Sequence, residues 1–520
     1  MNREKSLESI KEFPNQWDVI IIGGGATGLG AAVDSASRGF KTLLLEQHDF
    51  AKGTSSRSTK LIHGGLRYLQ QGNLSLVTEA LRERGLLCEN APHLVHPLPF
   101  LVPNYKWWEG TFYGAGVKIY DFLAGSHGLE PSEHLNKQET LQKLPTLKPE
   151  NLRGGVVYHD GQFDDARLAI SLARTATDLG GVLLNYMKVS ALIKKEGKCV
   201  GVKATDLESD KEYKLEGRVV INATGAFSDK IRLLDDKKSL PLIAPSRGTH
   251  IVLSKDFLPS NTALLIPYTE DKRVLFFVPW HDKIIVGTTD ISVSTVKLEP
   301  VALKKEITFL LKHAAHYLVK APKESDVLSV FTGIRPLVKA DETKPSSSLS
   351  RDHRILVSSS DLISIVGGKW TTYRQMAEDV INKAINISSL PSHPCITKTL
   401  PLHGFLKEVN LEDPWSVYGT DCSVLDSILK NEKASLDKKI HPDLLYKQVE
   451  VIFAARREMA RTVEDVLARR TRSLFLNARA SIEAAPLVAQ LLAKELGRSK
   501  SWELHQVKEF KEIASNYLLR

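Results

Sequence analysis

The chain has 520 residues, 25% charged and 42% hydrophobic, with a formal net charge of +9. That length allows two or three domains around a sizeable core, and no apolar run approaches the roughly 18–20 residues that a membrane-spanning helix needs. Cys88, Cys199, Cys395 and Cys422 lie far apart with no C-x-x-C pair, which argues for a reducing compartment and against a zinc or dithiol centre.

The basic excess suits an anionic lipid, a nucleic acid, an anionic substrate or simply a solvated surface. No aromatic-plus-basic RNA motif and no zinc finger occurs, so nucleic acid is not an expected partner, and no metal is expected. The opening stretch MNREKSLESIKEFPNQ has mixed charge and no apolar centre. It reads as neither a signal peptide nor a transit segment.

Val19–Ile22 is a short apolar run that suits a buried parallel strand. Gly23, Gly25 and Gly28 follow in G-x-G-x-x-G spacing, with Ala26 and Thr27 between them. Gly23 suits a tight turn, Gly25 a close backbone approach to a pyrophosphate, and Gly28 tight packing of the next helix. The spacing predicts a helix over Ala26–Arg38, stopped at Gly39, and a strand over Thr42–Leu45. Glu46 ends that strand, placed to accept hydrogen bonds from a ribose. Together these predict a dinucleotide site at a helix N-terminus.

Residues 47–70 are dense in hydroxyls, glycines and cations, including Thr54, Ser55, Ser56, Lys60, His63, Arg67 and Tyr68. Embedded Leu61, Ile62 and Leu66 predict partial burial around a polar ligand. Leu74–Asn90 reads as an amphipathic helix. Pro92, Pro97, Pro99 and Pro103 then predict extended pieces. Tyr105–Gly125 is the most aromatic stretch and suits either a membrane interface or a core helix or subunit contact.

Asp164 or Asp165 is placed to cap a helix over Ala166–Leu179. Strands are expected at Val182–Tyr186, Ser190–Ile193, Cys199–Ala204 and Val219–Ile221, the last running into Asn222-Ala223-Thr224-Gly225. Ile251–Leu253, Val274–Trp280 and Lys283–Val286 predict a separate antiparallel sheet without crossover helices, closed by Phe331–Leu337. The chain then returns to the first domain through a strand at Leu362–Val366, the Gly367-Gly368-Lys369 turn and a helix over Trp370–Ile385. This second helix start suits the flavin pyrimidine edge, where negative charge develops on reduction. From about residue 410 the pattern is helical, and Val451–Phe475 predicts one long arginine-rich helix.

GGGATG, TSSRSTKLIHGGLRYL, DDARL, NATGAFSD, RGTHIVL, FFVPW, GTTD, TGIRPL, GGKWTTYR and EDVLARRTR occur in one order between about residues 15 and 480. Together they resemble the FAD-dependent glycerol-3-phosphate dehydrogenase family, within the D-amino-acid-oxidase-like flavoproteins. HGGLRY, GIRPL and GGKWTTYR are the specific blocks. The resemblance implies oxidation of sn-glycerol 3-phosphate to dihydroxyacetone phosphate, with electrons passing from non-covalent FAD to a membrane quinone. It also implies peripheral membrane contact and a homodimer. A related branch uses oxygen and makes hydrogen peroxide, and a basic flavoprotein without turnover is the non-enzyme alternative. With no transit segment read, the expected location is cytoplasmic, on the inner face of a bacterial cell membrane.

The expected architecture is a Rossmann-like FAD domain (15–90, 150–235 and 345–388), an antiparallel-sheet substrate domain (91–149 and 236–344) and a C-terminal helical cap (395–520). Arg335 is the first choice for holding the substrate phosphate or C2 oxygen, because a guanidinium offers a fork of donors that stays charged. By resemblance Arg67 and Lys369 join it, with a structural ion pair open for Arg67 and a flavin contact for Lys369. Tyr68 lines the pocket or packs. His250 is the first candidate for general base and His63 the second. For FAD the expected residues are Gly23, Gly25, Ala26, Thr27, Gly28, Glu46, Thr54, Ser55, Ser56, Lys60, Leu61, Ala223, Thr224, Gly225, Gly368 and Thr371. Val189 is added by resemblance.

Overall fold

The structure is a computed structural model describing residues 1–66, 69, 72–270, 273–339, 352–432 and 434–519. The fingerprint strand Trp17–Ile22 lies at the centre of an eight-stranded sheet, in parallel register with Glu212–Asn222 on one side and Thr42–Leu45 on the other. Ile363–Gly367 and Val182–Leu184 extend the sheet in parallel, and His353–Val357 closes one edge antiparallel. A parallel strand covered on both faces needs apolar side chains on both. Accordingly Val19 and Ile21 face one core with Leu29, Leu168 and Val380, from the helices Ala26–Ser37, Asp165–Asp178 and Tyr373–Ser388. Ile20 and Ile22 face the other with Ile10, Val202 and Leu215.

A second sheet has ten strands, the longest being Ile243–Ser254, Val95–Asn104, Gly154–Phe163 and Ser329–Val338. Gly154–Phe163, inside the 150–235 segment, hydrogen-bonds into this second sheet along its length. The proline-rich stretch forms one strand rather than several extended pieces. Pro97, Pro99 and Pro103 are all at odd positions, so their missing N–H groups fall on one side of it. The sheet is antiparallel except where Ala263–Ile266 lies parallel to Val95–Asn104.

The second sheet also carries a helix that the sequence reading passed over, Lys304–Tyr317, whose Ile307, Leu310 and Ala314 pack on Ile251, Leu253 and Ile284. Their i, i+3, i+7 spacing was the signal. One expectation is overturned: Val451–Phe475 is not one helix. It divides into Gln448–Arg457, a turn through Met459 at φ +54°, a π-helical turn over Asp465–Arg470, and Ser473–Leu476. The reason is electrostatic: Arg469, Arg470 and Arg472 are buried against Asp49, Asp164, Asp165 and Glu464. A straight helix would spread these three guanidiniums around its axis, whereas the turns aim them all into the molecule.

The aromatic stretch forms the helix Glu109–Ala124 with two unlike faces. Tyr113, Val117, Tyr120 and Ala124 are buried at helical spacing, while Trp107 and Phe122 are 81% and 84% exposed and Trp108, Phe112 and Ile119 lie beside them in solvent. Among the described residues no helix is long and apolar enough to cross a membrane.

Candidate functional site

A cavity of about 740 Å³ runs from the carboxyl ends of the parallel strands to the second sheet. One wall is the glycine turn. Gly23 has φ +109°, and a Cβ on Gly28 would stand 1.9 Å from the carbonyl oxygen of Gly23, so only glycine fits both places. Gly25 opens the helix Ala26–Ser37 without a side-chain cap. The helix therefore presents the positive end of its dipole at the cavity wall. Glu46 lies at the rim, its carboxylate accepting from the amides of Gly24 (2.7 Å) and His48 (2.8 Å). Burial raises its pKa, against the lowering effect of those two bonds.

The second glycine turn, Gly367 and Gly368, at φ +81° and +80°, also lines the cavity. Trp370 Nε1 donates to the Ser55 carbonyl (2.9 Å), and Ser55 Oγ accepts from the amide of Ala26 (2.9 Å). One residue thus joins the two helix starts. Thr371 Oγ1 accepts from the His63 amide (3.2 Å), and Thr54 Oγ1 donates to the Ile334 carbonyl (2.6 Å), tying this loop to the second sheet.

His250 and Arg335 enter from neighbouring strands of the second sheet, Ile243–Ser254 and Ser329–Val338. The His250 ring stacks on Phe331 at 4.6 Å between centroids, and its Nε2 is 2.9 Å from Thr59 Oγ1. Its Nδ1 is buried without a hydrogen-bond partner among the described residues. Burial, then the charges of Arg335 and Lys60, hold its pKa well below the ordinary imidazole value, so the ring is neutral. The Arg335 guanidinium donates to Thr288 Oγ1 and the Thr289 carbonyl, both at 3.1 Å, and lies 3.4 Å from Asp290. Two glycines make room for these side chains. A Cβ on Gly287 would meet the His250 ring at 2.1 Å, and one on Gly248 would meet the Arg335 guanidinium at 2.4 Å.

Of the expected residues, Gly23, Gly25, Ala26, Thr27, Glu46, Thr54, Ser55, Leu61, His63, Val189, Ala223, Thr224, Gly225, His250, Arg335, Gly368, Lys369 and Thr371 line this one cavity. Arg67 and Tyr68 lie outside the described residues. Ser56, Lys60 and Gly28 do not line it. Lys60 points away: it is fully buried, pairs with Asp165 at 2.6 Å and donates to the Ser56 carbonyl at 2.8 Å. Burial lowers its pKa to about 7 despite that pair. Sequence reasoning placed Thr59 in the ligand-wrapping segment but gave no site role to Gly248, Gly287 or Trp370. The glycines before Thr249 and Thr288 were visible, but their purpose depends on side chains from other strands.

The FAD dependent oxidoreductase family model matches residues 18–374, and the model for the C-terminal domain of alpha-glycerophosphate oxidase matches residues 358–503. The chain is 39% identical to the mitochondrial glycerol-3-phosphate dehydrogenase of Rattus norvegicus, aligning over 99% of its own length and 75% of that protein. It is 41% identical to the probable mitochondrial glycerol-3-phosphate dehydrogenase of Caenorhabditis elegans, over 95% of its length and 72% of that protein. The glycerol-3-phosphate dehydrogenase of Bacillus halodurans, solved with FAD, superposes with a TM-score of 0.81 at 29% identity, over 99% of this chain and 97% of that one. The L-alpha-glycerophosphate oxidase of Mycoplasma pneumoniae shares the fold, with a TM-score of 0.57 at 18% identity over 74% of this chain and 98% of that one.

Proposed function

This chain belongs to the FAD-dependent glycerol-3-phosphate dehydrogenase family, and on that premise we propose that it oxidises sn-glycerol 3-phosphate to dihydroxyacetone phosphate and passes the electrons to a membrane quinone. The cavity fits FAD. Gly25, whose Cβ would stand 3.0 Å from Ser55 Oγ, leaves its wall open, and the start of the helix Ala26–Ser37 and the Gly367-Gly368 turn both line it. Gly23, Gly25, Ala26 and Thr27 would hold the pyrophosphate, Glu46 and Val189 the adenosine half, and Gly368 and Thr371 the pyrimidine edge. When bound, FAD supplies a hydride acceptor.

The observation that carries the site assignment is the meeting of a neutral histidine and a fixed guanidinium at the end of that cavity. Arg335 binds the substrate phosphate or C2 oxygen, its charge-assisted bonds stronger than neutral ones. Lys369, on the adjoining turn, adds a second cation. His250 takes the C2 hydroxyl proton at Nδ1 while its Nε2–H is donated to Thr59 Oγ1. A buried, uncharged ring can accept that proton, whereas an imidazolium cannot.

The exposed face of Trp107, Trp108, Phe112, Ile119 and Phe122 supports the membrane reading. Apolar area bared on one helix face suits burial among lipid headgroups. A homodimer accompanies this reading and is checked by light scattering in detergent.

The deciding experiment is anaerobic addition of glycerol 3-phosphate to the purified yellow protein. Bleaching of the flavin absorbance establishes the donor, and fast recolouring by a quinone analogue but not by air establishes the acceptor. Fast recolouring by air with stoichiometric hydrogen peroxide makes the enzyme an oxidase. Protein that holds FAD but does not bleach refutes the substrate assignment.

A further inference from the structure

The EDVLARRTR segment lies more than 400 residues after the glycine fingerprint, yet its charged side chains reach the loop that lines the dinucleotide cavity. Asp49 is fully buried three residues beyond Glu46. Its carboxylate accepts from Arg469 Nε (2.5 Å) and from Arg470 Nη1 and Nη2 (2.7 and 2.9 Å). Burial would push this carboxyl up, but Arg470 and Arg469 outweigh that and hold it below its usual range. Two residues on, the amide of Ala51 donates to the carbonyl of Gly24 (2.9 Å), within the fingerprint turn itself.

Further along the loop, Lys52 pairs with Glu464, which also accepts from Arg469 (2.8 Å). Arg472 donates to the Ser56 carbonyl (2.9 Å) and to Asp165 (3.0 Å). His48, Lys52, Gly53, Thr54 and Ser55 of this loop line the cavity, whereas Arg469, Arg470 and Arg472 do not.

We propose that Arg469, Arg470 and Arg472 are positioning residues for the cofactor, by which the C-terminal domain clamps the 46–60 loop and controls how tightly FAD is held. This extends the FAD reading and does not depend on which substrate is oxidised. A loop loses conformational freedom when it closes on a ligand, and a loop already fixed by outside contacts loses less. Arg469 and Arg470 fix it at Asp49, Arg469 holds Lys52 through Glu464, and Arg472 fixes it at Ser56.

The test measures FAD itself. Apoprotein of the parent, Arg470→Gln and Arg470→Lys is titrated with FAD by flavin fluorescence, and flavin release is timed after dilution. Arg470→Gln is expected to weaken FAD binding by about tenfold or more, mainly through faster release, with Arg470→Lys recovering part of the loss. The melting temperature of each protein, apo and FAD-loaded, is recorded alongside. Equal destabilisation of apo and FAD-loaded protein with unchanged FAD affinity would overturn the clamp and leave only domain packing.

Should Arg470→Gln not fold, Glu464→Gln is the second variant. It keeps the shape and weakens the Lys52 and Arg469 links. FAD affinity unchanged in folded Glu464→Gln would likewise overturn the proposal.

Discussion

Gly287→Ala tests whether the position of His250 governs turnover. The added methyl would stand 2.1 Å from Cδ2 of His250, 2.8 Å from Cγ and 2.9 Å from Nε2, so the nearest contact must open to at least 3.4 Å. The ring has no slack on its other side, where Phe331 stacks at 4.6 Å and 12°. Moving the ring also strains its 2.9 Å bond to Thr59. Overpacking of this kind costs about 1–3 kcal/mol. Displacing a reacting group by about 1 Å lowers turnover by as much as 10²-fold. The expected result is kcat with an artificial acceptor reduced roughly 10- to 100-fold, with FAD content and spectrum unchanged because no atom of the glycine cradle moves. Full activity in a variant whose crystal structure shows the ring displaced would refute His250 as the base. Full activity with the ring in place would refute the packing argument.

Other outcomes follow from the same geometry. Arg335→Lys keeps the charge but loses the fork, so losing about 1.5–3 kcal/mol should lower kcat/KM for glycerol 3-phosphate roughly 10- to 150-fold while the flavin spectrum is unchanged. A change under threefold would remove Arg335 from the substrate site. Replacing both Trp107 and Phe122 by serine should reduce cosedimentation with anionic vesicles more than about tenfold, since each buried aromatic contributes about 1.5–3 kcal/mol. Soluble turnover should be untouched, and unchanged cosedimentation would clear this helix of membrane contact.

His93 is buried, and desolvation followed by the Arg167 charge lowers its pKa to about 4. Between pH about 6.5 and 4 the unfolded chain therefore takes up a proton that the native state does not, a cost reaching about 1.4 kcal/mol per pH unit. Denaturant curves should show His93→Gln gaining on the parent as pH falls through that window, and a pH-independent difference would mean His93 is not held neutral. Gly116, mid-helix on Glu109–Ala124 with open space around a Cβ, should become about 0.5–1 kcal/mol more stable as alanine. A loss of stability there would contradict that open space.

The parallel sheet and its glycine turn were legible because their signals are local. Val19–Ile22, the G-x-G-x-x-G spacing and Glu46 all lie within 28 residues, and backbone sterics alone demand glycine at positions 23 and 28. Strand and helix periodicity likewise sufficed for Leu74–Asn90 and Tyr373–Ser388. Lys60 is the contrary case. Placed among hydroxyls and glycines it reads as a ligand-facing cation, yet Asp165 draws it inward from 105 residues away.

The sequence by itself determined the dinucleotide wall and the second helix start, and with the family resemblance it singled out His250 and Arg335, which line the same cavity. Tertiary structure decided which way the charged side chains point. A glycine turn is specified by its own backbone, but a buried charge is stable only beside its partner. The partners of Lys60, Arg469, Arg470 and Arg472 come from segments that only folding brings together.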